Sequence, residues 1–234
     1  MKKKLKYYYI KNTFLFFVLS LSFINSIGQE NVLPGINQLE SQIPNLRGKK
    51  IGIVAHQASI ISNANKNQHL VDYLIQKKIK IEKVFAPEHG FRGKADAGEE
   101  IKTEEDKKTG LRIISLYGKN KKPSVEKLNG IEIMIFDLQD VGVRFYTYLS
   151  TLHYVMEACA ENNIPLIVLD RPNPNIHYLD GPILESPFKS FVGMHPVPIV
   201  YGMTIGEYAQ MINGEGWLKN KIKVKLKIIP IKNY

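Results

Sequence analysis

Short apolar runs alternate with amphipathic segments along the chain from residue 50 onward. Apolar runs of about six residues are typical of strands buried in a sheet, whereas an apolar residue every three or four positions is typical of a helix. The predicted strands are residues 50–55, 81–86, 111–116, 131–136 and 164–169. The predicted helices are residues 67–78, 124–128, 149–161 and 205–212. Strands that alternate with helices predict an α/β fold with a mostly parallel sheet flanked by helices.

Two long segments and the end of the chain depart from this alternation. Residues 88–110 form a polar, charged loop, and residues 170–200 are proline-rich without periodicity, which is typical of a functional loop. Thr204 and Glu207 have the spacing of a capping box before the last helix. Residues 221–231 alternate lysine with apolar residues and predict a solvated edge strand, with contact to an anionic polymer or lipid as the alternative.

The first 28 residues have the pattern of a secretory signal peptide. Lysines between positions 2 and 11 precede an apolar run at 14–24 and a short segment of small residues. The apolar run is too short to span the roughly 30 Å hydrocarbon core of a bilayer comfortably. We therefore expect export to the periplasm or the cell exterior, cleavage after Gly28 and no stable membrane anchor afterwards; an uncleaved anchor is the alternative.

Composition and charge act mainly by excluding classes of protein. The 234 residues are 44% hydrophobic and 23% charged, an ordinary globular composition for one large domain or two small ones. The single cysteine, Cys159, excludes an internal disulfide framework and a multi-cysteine metal site. The net charge of +10 belongs to the two ends, because residues 29–218 carry about −1. A nucleic-acid partner is therefore not expected.

Polar and ionisable residues follow four of the predicted strands. Ligands bind at the carboxyl ends of the strands in sheets of this type, so these residues predict a functional cleft at one edge of the sheet. Any one of them could instead cap a helix or form a salt bridge. They are His56 and Gln57; Glu88, His89 and Arg92; Asp137, Gln139, Asp140 and Arg144; and Asp170, Arg171 and Asn173.

Several kinds of site are disfavoured by the absence of their motifs from the sequence. There is no glycine-rich dinucleotide or triphosphate loop after a strand and no nucleophile elbow of a serine hydrolase. The histidines are too scattered for a common zinc motif, so neither a metal nor another cofactor is expected. The residues from which a metal site could be drawn are His56, His89, Asp137 and Asp140.

Glycoside cleavage fits these residues better. This chemistry needs a protonated acid near the leaving oxygen and a second group at the anomeric carbon. Glu88 follows a strand and is close in sequence to Phe91, a setting that raises the proton affinity of a carboxyl. Aromatic rings commonly stack on sugars, and arginines grip anionic groups in a bidentate manner. The candidates for these two tasks are Phe145, Tyr146 and Tyr148, and Arg92, Arg144 and Arg171.

Four segments together resemble the exo-β-N-acetylmuramidase family. They are PEHGFRG at 87–93, DLQDVGVRFYTY at 137–148, DRPNP at 170–174 and GMTIGE at 202–207. The resemblance covers about residues 45–234 and implies an enzyme that releases terminal N-acetylmuramic acid from the non-reducing end of peptidoglycan fragments in cell-wall turnover. It also implies a Rossmann-like catalytic domain at 47–234, after a lead-in at 29–46, and a smaller C-terminal domain that this chain lacks.

The resemblance suggests roles for the candidate residues. Glu88 is the expected general acid, oriented by His89 or Asp140, while Asp137 and Asp170 anchor loops or sugar hydroxyls. The lactyl carboxylate of N-acetylmuramic acid matches the arginines, and its 2-acetamido group could serve as the nucleophile. A non-catalytic module that binds muropeptides is the alternative. The expected substrate-binding residues are His56, Arg92, Asp137, Gln139, Arg144, Tyr146, Tyr148, Asp170, Arg171 and Asn173.

Overall fold

The computed structural model describes residues 31–63, 66–88, 90–92 and 104–234. The strands are β1 (Lys50–Ala55), β2 (Ile60–Asn63), β3 (Lys66–His69), β4 (Lys80–Ala86), β5 (Glu104–Glu105), β6 (Arg112–Ser115), β7 (Ile133–Asp137), β8 (Leu166–Leu169) and β9 (Leu226–Ile229). The α-helices are α1 (Ile43–Leu46), α2 (Leu70–Gln76), α3 (Val125–Leu128), α4 (Tyr148–Glu161) and α5 (Ile205–Gly214). Short 3₁₀ helices lie at Gly35–Gln42, Ser186–Phe188 and Lys219–Lys221.

The main sheet of the described residues has seven strands in the order β5-β6-β4-β1-β7-β8-β9. Every neighbouring pair is parallel except the short β5, which runs antiparallel to β6. The six parallel strands are β1, β4, β6, β7, β8 and β9. If these six alone are renumbered 1 to 6 in chain order, their order across the sheet is 3-2-1-4-5-6, which is the strand order of Rossmann folds. The predicted α/β class with a mostly parallel sheet is therefore confirmed.

Both faces of the sheet are covered because its strands are apolar on both sides. Side chains alternate across a strand, so Val54 and Phe136 belong to the apolar cluster that includes α4 and α5. Ile53 and Ile135, their neighbours in sequence, belong to the second cluster, which includes α2 and the segment at 35–46. This burial on both faces explains why the strands appear in the sequence as nearly continuous apolar runs.

The structure corrects the predicted helix at 67–78. Residues 67–69 belong to β3, which forms a separate antiparallel hairpin with β2, and the helix begins at Leu70. The side chain of His69 accepts a hydrogen bond from the backbone nitrogen of Val71 and so caps α2. The strand was missed because it is polar: backbone pairing with β2 forms it without an apolar alternation that the sequence could display.

The last part of the chain is strand only in part. The predicted strand at 221–231 is limited to Leu226–Ile229, which pairs in parallel with β8 at the edge of the sheet as expected. Asn220 and Lys221 both have a positive φ of 54°, so the chain turns there and the lysine alternation begins before the strand does.

The capping box at the start of α5 is confirmed. The Thr204 hydroxyl accepts a hydrogen bond from the backbone nitrogen of Glu207, and the Glu207 carboxylate accepts one from the backbone nitrogen of Thr204. These two bonds satisfy backbone groups that a helix start otherwise leaves unpaired. They fix the first turn of α5.

The segment expected to be a lead-in packs on the body of the fold. Ile36, Leu39 and Leu46 are fully buried in the cluster beneath α2. Upstream of them, Leu33 exchanges two backbone hydrogen bonds with Lys232, of 3.0 and 2.9 Å. The predicted signal peptide and its cleavage site lie outside the described residues. Among the residues that are described, no helix is long and apolar enough to cross a bilayer.

Candidate active site

A cleft of about 690 Å³ opens at the carboxyl ends of the strands. Its walls come from the segments that follow β4, β6 and β7 and from the long loop that follows β8. The sequence predicts a cleft at this edge, and the structure brings four separate chain segments together there. The lining residues are Glu88, Tyr117, Gly118, Lys121, Phe145, Thr147, Ser190, Phe191 and Val192.

Among the described residues that line the cleft, Glu88 is the one acidic side chain. Its Oε2 accepts a hydrogen bond of 3.0 Å from the hydroxyl of Thr147, the residue that immediately precedes α4. The negative charge of Glu88 raises the pKa of the Tyr117 hydroxyl, so these two side chains are also close. Phe91 is buried outside the cleft lining, with its ring 4.8 Å from that of His69. The aromatic side chains of the cleft are Tyr117, Phe145 and Phe191.

The two carboxylate oxygens of the buried Asp140 differ in their hydrogen-bond partners. Its Oδ2 accepts hydrogen bonds from the Tyr201 hydroxyl and from the backbone nitrogen of Gly142, the latter at 2.8 Å. Its Oδ1 has no hydrogen-bond partner within the part of the chain that the structure describes. Burial raises the pKa of Asp140 to about 6, and the Tyr201 and backbone hydrogen bonds oppose this rise.

Tyr148 connects Glu88 and Asp140 electrostatically. Burial raises the pKa of its hydroxyl, Tyr146 raises it further, and the charges of Glu88 and Asp140 add to the effect. The Tyr148 ring lies edge-on to Tyr146 at 4.7 Å and edge-on to His56 at 5.2 Å. Both carboxyls therefore act on one hydroxyl, as expected if the segments after β4 and β7 share a site.

Two of the predicted anion-binding arginines have structural partners. Arg171 and Asp137 form a buried bidentate pair, with Nε–Oδ1 at 2.6 Å and Nη2–Oδ2 at 2.9 Å. Arg144 donates from Nη1 to the backbone carbonyls of Pro182 and Val197 and so holds the long loop that follows β8. The assignment of these two arginines to a ligand stays a prediction, and both guanidinium groups are already engaged.

Arg92 also has partners on other elements. Its Nε and Nη2 donate to the two carboxylate oxygens of Asp106 at 2.9 and 2.8 Å, and Nη2 also contacts Asp72 at 3.1 Å. These bonds hold the pKa of Asp106 at about 2, well below its usual range. His89, the residue beside Glu88, lies outside the described residues.

Asp170 ties the end of β8 to the start of α5. Its Oδ1 accepts hydrogen bonds from the backbone nitrogens of Arg171 and Gly206, and its Oδ2 accepts one from the Thr204 hydroxyl. Burial raises the pKa of Asp170, while these hydrogen bonds lower it. The assignment of Asp170 to substrate binding stays a prediction, and its carboxylate already links these two elements.

Asn173 and Gln139 hold loops through backbone carbonyls. Asn173 donates to the carbonyl of Met203 at 2.8 Å, and its side-chain oxygen accepts from the backbone nitrogen of Asn175 at 2.8 Å. Gln139 donates to the carbonyl of Pro172 at 2.8 Å. Across the described ranges, no group of three or more histidine, cysteine or acidic side chains is arranged to hold a metal ion.

Sequence reasoning missed Tyr117 and Lys121. Both follow β6, whose carboxyl end reaches the same edge of the sheet as those of β4 and β7. The rule that polar residues after strand ends mark the cleft applies equally to this strand, and it would have identified both side chains. Phe191 of the cleft lies in the loop at 170–200, whose length did indicate a functional segment.

Comparison with known proteins agrees with the fold and with the four motifs. The family model described as exo-beta-N-acetylmuramidase NamZ, N-terminal, matches residues 51–234. The peptidoglycan beta-N-acetylmuramidase NamZ of Bacillus subtilis (strain 168) is 49% identical over 172 residues, which make up 73% of this chain and 41% of that protein.

Two crystal structures of DUF1343 family proteins from Bacteroides fragilis NCTC 9343 have the same fold. One has a TM-score of 0.76 and 43% identity, over 88% of this chain and 53% of its own. The other has a TM-score of 0.78 and 36% identity, over 87% of this chain and 50% of its own. The chain thus spans about half the length of these structures and less than half of the curated relative. It belongs to the exo-beta-N-acetylmuramidase NamZ family, whose N-terminal model it matches.

Proposed function

We propose that this protein is an exo-acting glycoside hydrolase that releases terminal N-acetylmuramic acid from the non-reducing end of peptidoglycan fragments. The observation that carries the proposal is the position of Glu88, held by the Thr147 hydroxyl in an aromatic cleft at the carboxyl edge of the sheet. Membership of a family that includes a peptidoglycan β-N-acetylmuramidase supports the choice of substrate.

In this mechanism Glu88 is the general acid. The 2-acetamido oxygen of the substrate attacks the anomeric carbon while the glycosidic bond breaks, and the leaving oxygen takes the proton of Glu88. Water then opens the cyclic intermediate and returns a proton to the carboxylate. This substrate-assisted scheme suits the cleft, because Glu88 is the acid among its described lining residues. The exposed ring of Phe145 offers an apolar face on which the sugar ring can stack.

The proposal includes a place of action. The charged and apolar pattern of residues 1–28 supports export, and peptidoglycan fragments occur outside the cytoplasmic membrane. The enzyme would then act in cell-wall turnover, on fragments that present a terminal muramic acid. Detection of the protein in the periplasmic or extracellular fraction, with its mature N-terminus near residue 29, tests this part.

Glu88→Gln tests the catalytic assignment in the protein produced from its own gene, with any residues that follow Tyr234. We expect the release of N-acetylmuramic acid from a disaccharide with this sugar at its non-reducing end to fall by about 10²- to 10⁴-fold. The loss on 4-nitrophenyl β-N-acetylmuramide should be smaller, because its leaving group needs less protonation. The exposed Glu126→Gln is the matched control. Wild-type turnover of both substrates by Glu88→Gln would exclude Glu88 as the acid.

The second candidate function is a non-catalytic module that binds muropeptides. A single acid among the described residues of the cleft favours it, because many glycosidases use two carboxyl groups. The same assay separates the two candidates: a binding module retains the disaccharide and releases no free sugar.

A further inference from the structure

Lys121 places a positive charge in the same cleft as Glu88. The side chain is half-buried, and its Nζ lies 4.3 Å from the centroid of the Phe191 ring. An ammonium group over an aromatic face is held by the electrostatic attraction of the ring, so its position is restricted before a ligand arrives. The cleft therefore has an acid and a cation in its lining.

Within the described parts of the chain, Lys121 forms no salt bridge with an acidic side chain. Its neighbour Lys122 is the opposite case, because its Nζ lies 2.6 Å from Glu157 and 2.7 Å from Glu161. A charge that is partly removed from water is stabilised when it meets an opposite charge. The environment of Lys121 therefore favours an anionic group from a ligand in the cleft.

The arginines expected to supply this charge are engaged elsewhere. Arg92 and Arg171 pair with aspartates, and Arg144 donates to backbone carbonyls. None of the three belongs to the described lining of the cleft, whereas Lys121 does.

Two residues of α4 hold Phe191 in place. Its carbonyl accepts a hydrogen bond from the Ser150 hydroxyl at 2.5 Å, and its ring stacks on Tyr154 at a centroid distance of 6.1 Å. Ser150 and Tyr154 lie one helical turn apart, so a single helix face supports the residue that holds the ammonium group.

We infer that Lys121 binds the lactyl carboxylate of the terminal N-acetylmuramic acid and thereby selects muramic acid over glucosamine, which lacks this group. The inference rests on the proposed function, because it takes the substrate from there. Lys121 is a specificity-determining residue in this scheme: it contacts a group remote from the bond that breaks.

The test combines a change in the protein with a change in the ligand. Binding of N-acetylmuramic acid and of its methyl ester, in which the carboxylate charge is absent, is measured by calorimetry for the wild type, Lys121→Met and Lys121→Arg. In parallel, kcat/KM is measured on the 4-nitrophenyl β-glycosides of N-acetylmuramic acid and N-acetylglucosamine. Lys119→Met, an exposed lysine of the same loop outside the cleft lining, is the control for the lost charge.

We expect the wild type to bind the free acid roughly 10- to 100-fold more tightly than the ester, and Lys121→Met to lose this difference. Lys121→Met should lower kcat/KM on the muramide by a similar factor and leave the glucosaminide unchanged. Lys121→Arg should retain the preference, and Lys119→Met should have no effect.

Two results would overturn the inference in distinguishable ways. If the wild type releases N-acetylmuramic acid but binds acid and ester equally, or if Lys121→Met weakens both equally, Lys121 does not recognise the carboxylate and the proposed function stands. If the wild type neither binds nor releases the sugar, the proposed function fails and this inference fails with it. The comparison of acid and ester on the wild type needs no variant, so misfolding of Lys121→Met cannot obscure it.

Discussion

Arg171 donates two hydrogen bonds to Asp137 across the carboxyl ends of the neighbouring strands β7 and β8, and both side chains are buried. The pair lies at the edge of the sheet where the cleft opens. Two buried charges in this geometry satisfy each other, so the loss of one partner leaves the other unpaired in a poorly solvated site.

We expect Arg171→Met to destabilise the fold by about 3–5 kcal/mol, because it leaves the Asp137 carboxylate buried without a partner. The double variant Asp137→Leu/Arg171→Met should be markedly more stable than either single variant, since it removes both charges. Urea unfolding followed by circular dichroism measures this. A single variant as stable as the wild type would show that the pair contributes nothing to the fold.

Asp140 should make stability depend on pH in the direction opposite to most aspartates. Its folded pKa of about 6 lies above the ordinary value of 3.8, so between these limits the folded state binds more protons than the unfolded state. The contribution of Asp140 to stability is therefore lost as the pH rises through this window. Asp140→Asn keeps an oxygen for Tyr201 and Gly142 and removes the charge.

The free energy of unfolding of Asp140→Asn minus that of the wild type should increase by on the order of 3 kcal/mol between pH 3.5 and 6.5. Taking this difference cancels the titration of all other groups. Urea titrations at several pH values measure it, and a difference that does not change with pH would contradict the raised pKa of Asp140.

His195 is expected to act in the opposite direction. Burial lowers its pKa to about 3, with contributions from His153 and Lys189. The ring is within hydrogen-bond distance of His153 at 3.0 Å and of the Tyr208 hydroxyl at 3.1 Å. Because the His195 ring takes up a proton near pH 6.5 in the unfolded chain but not in the folded one, its contribution to stability is lost as the pH falls below 6.5.

His195→Phe should lose less stability on acidification than the wild type. Below pH 6.5 the free energy of unfolding of the wild type should fall by about 1.4 kcal/mol more per pH unit than that of the variant, because one proton is involved. At pH 7.5 the variant should be the less stable of the two proteins, because the Tyr208 hydroxyl has lost its partner. Trp217, the only tryptophan of the chain, lies 4.6 Å from the His195 ring and reports unfolding by fluorescence. Parallel acid-unfolding curves for the two proteins would exclude a buried neutral His195.

Thr147 is a positioning residue if Glu88 is the acid. Thr147→Val keeps the shape of the side chain and removes the donor to Oε2 of Glu88, so we expect kcat to fall by about tenfold with little change in KM. Thr147→Ser should restore most of the rate, and the alkaline limb of the pH–rate profile, where a general acid loses its proton, should shift only in the valine variant. A fall in melting temperature without these kinetic changes would indicate a merely structural role.

The fold could be predicted from the sequence where burial leaves a periodic pattern. β1 was predicted with its observed limits, and Thr204 and Glu207 cap α5 as their spacing indicates. The hairpin of β2 and β3 could not be predicted, because backbone pairing forms its polar second strand without any apolar pattern.

The sequence indicates where the cleft lies, but it does not indicate which charged side chains pair with one another there. The segments after several strands do meet at one edge, as the topology requires. Which charges pair there depends on strand order: Arg171 and Asp137 are 34 residues apart and meet only because β7 and β8 are neighbours. The three arginines therefore appear available in the sequence although all three have partners in the fold. Lys121 follows β6, and the sequence does not show that the loop after this strand lines the same cleft.

The backbone pairing of Leu33 with Lys232 brings both ends of this α/β body to one point of its surface. A polypeptide joined upstream of Leu33 would thus start beside one joined downstream of Lys232. Extending the chain at either end is therefore expected to leave the packing of the strands unchanged.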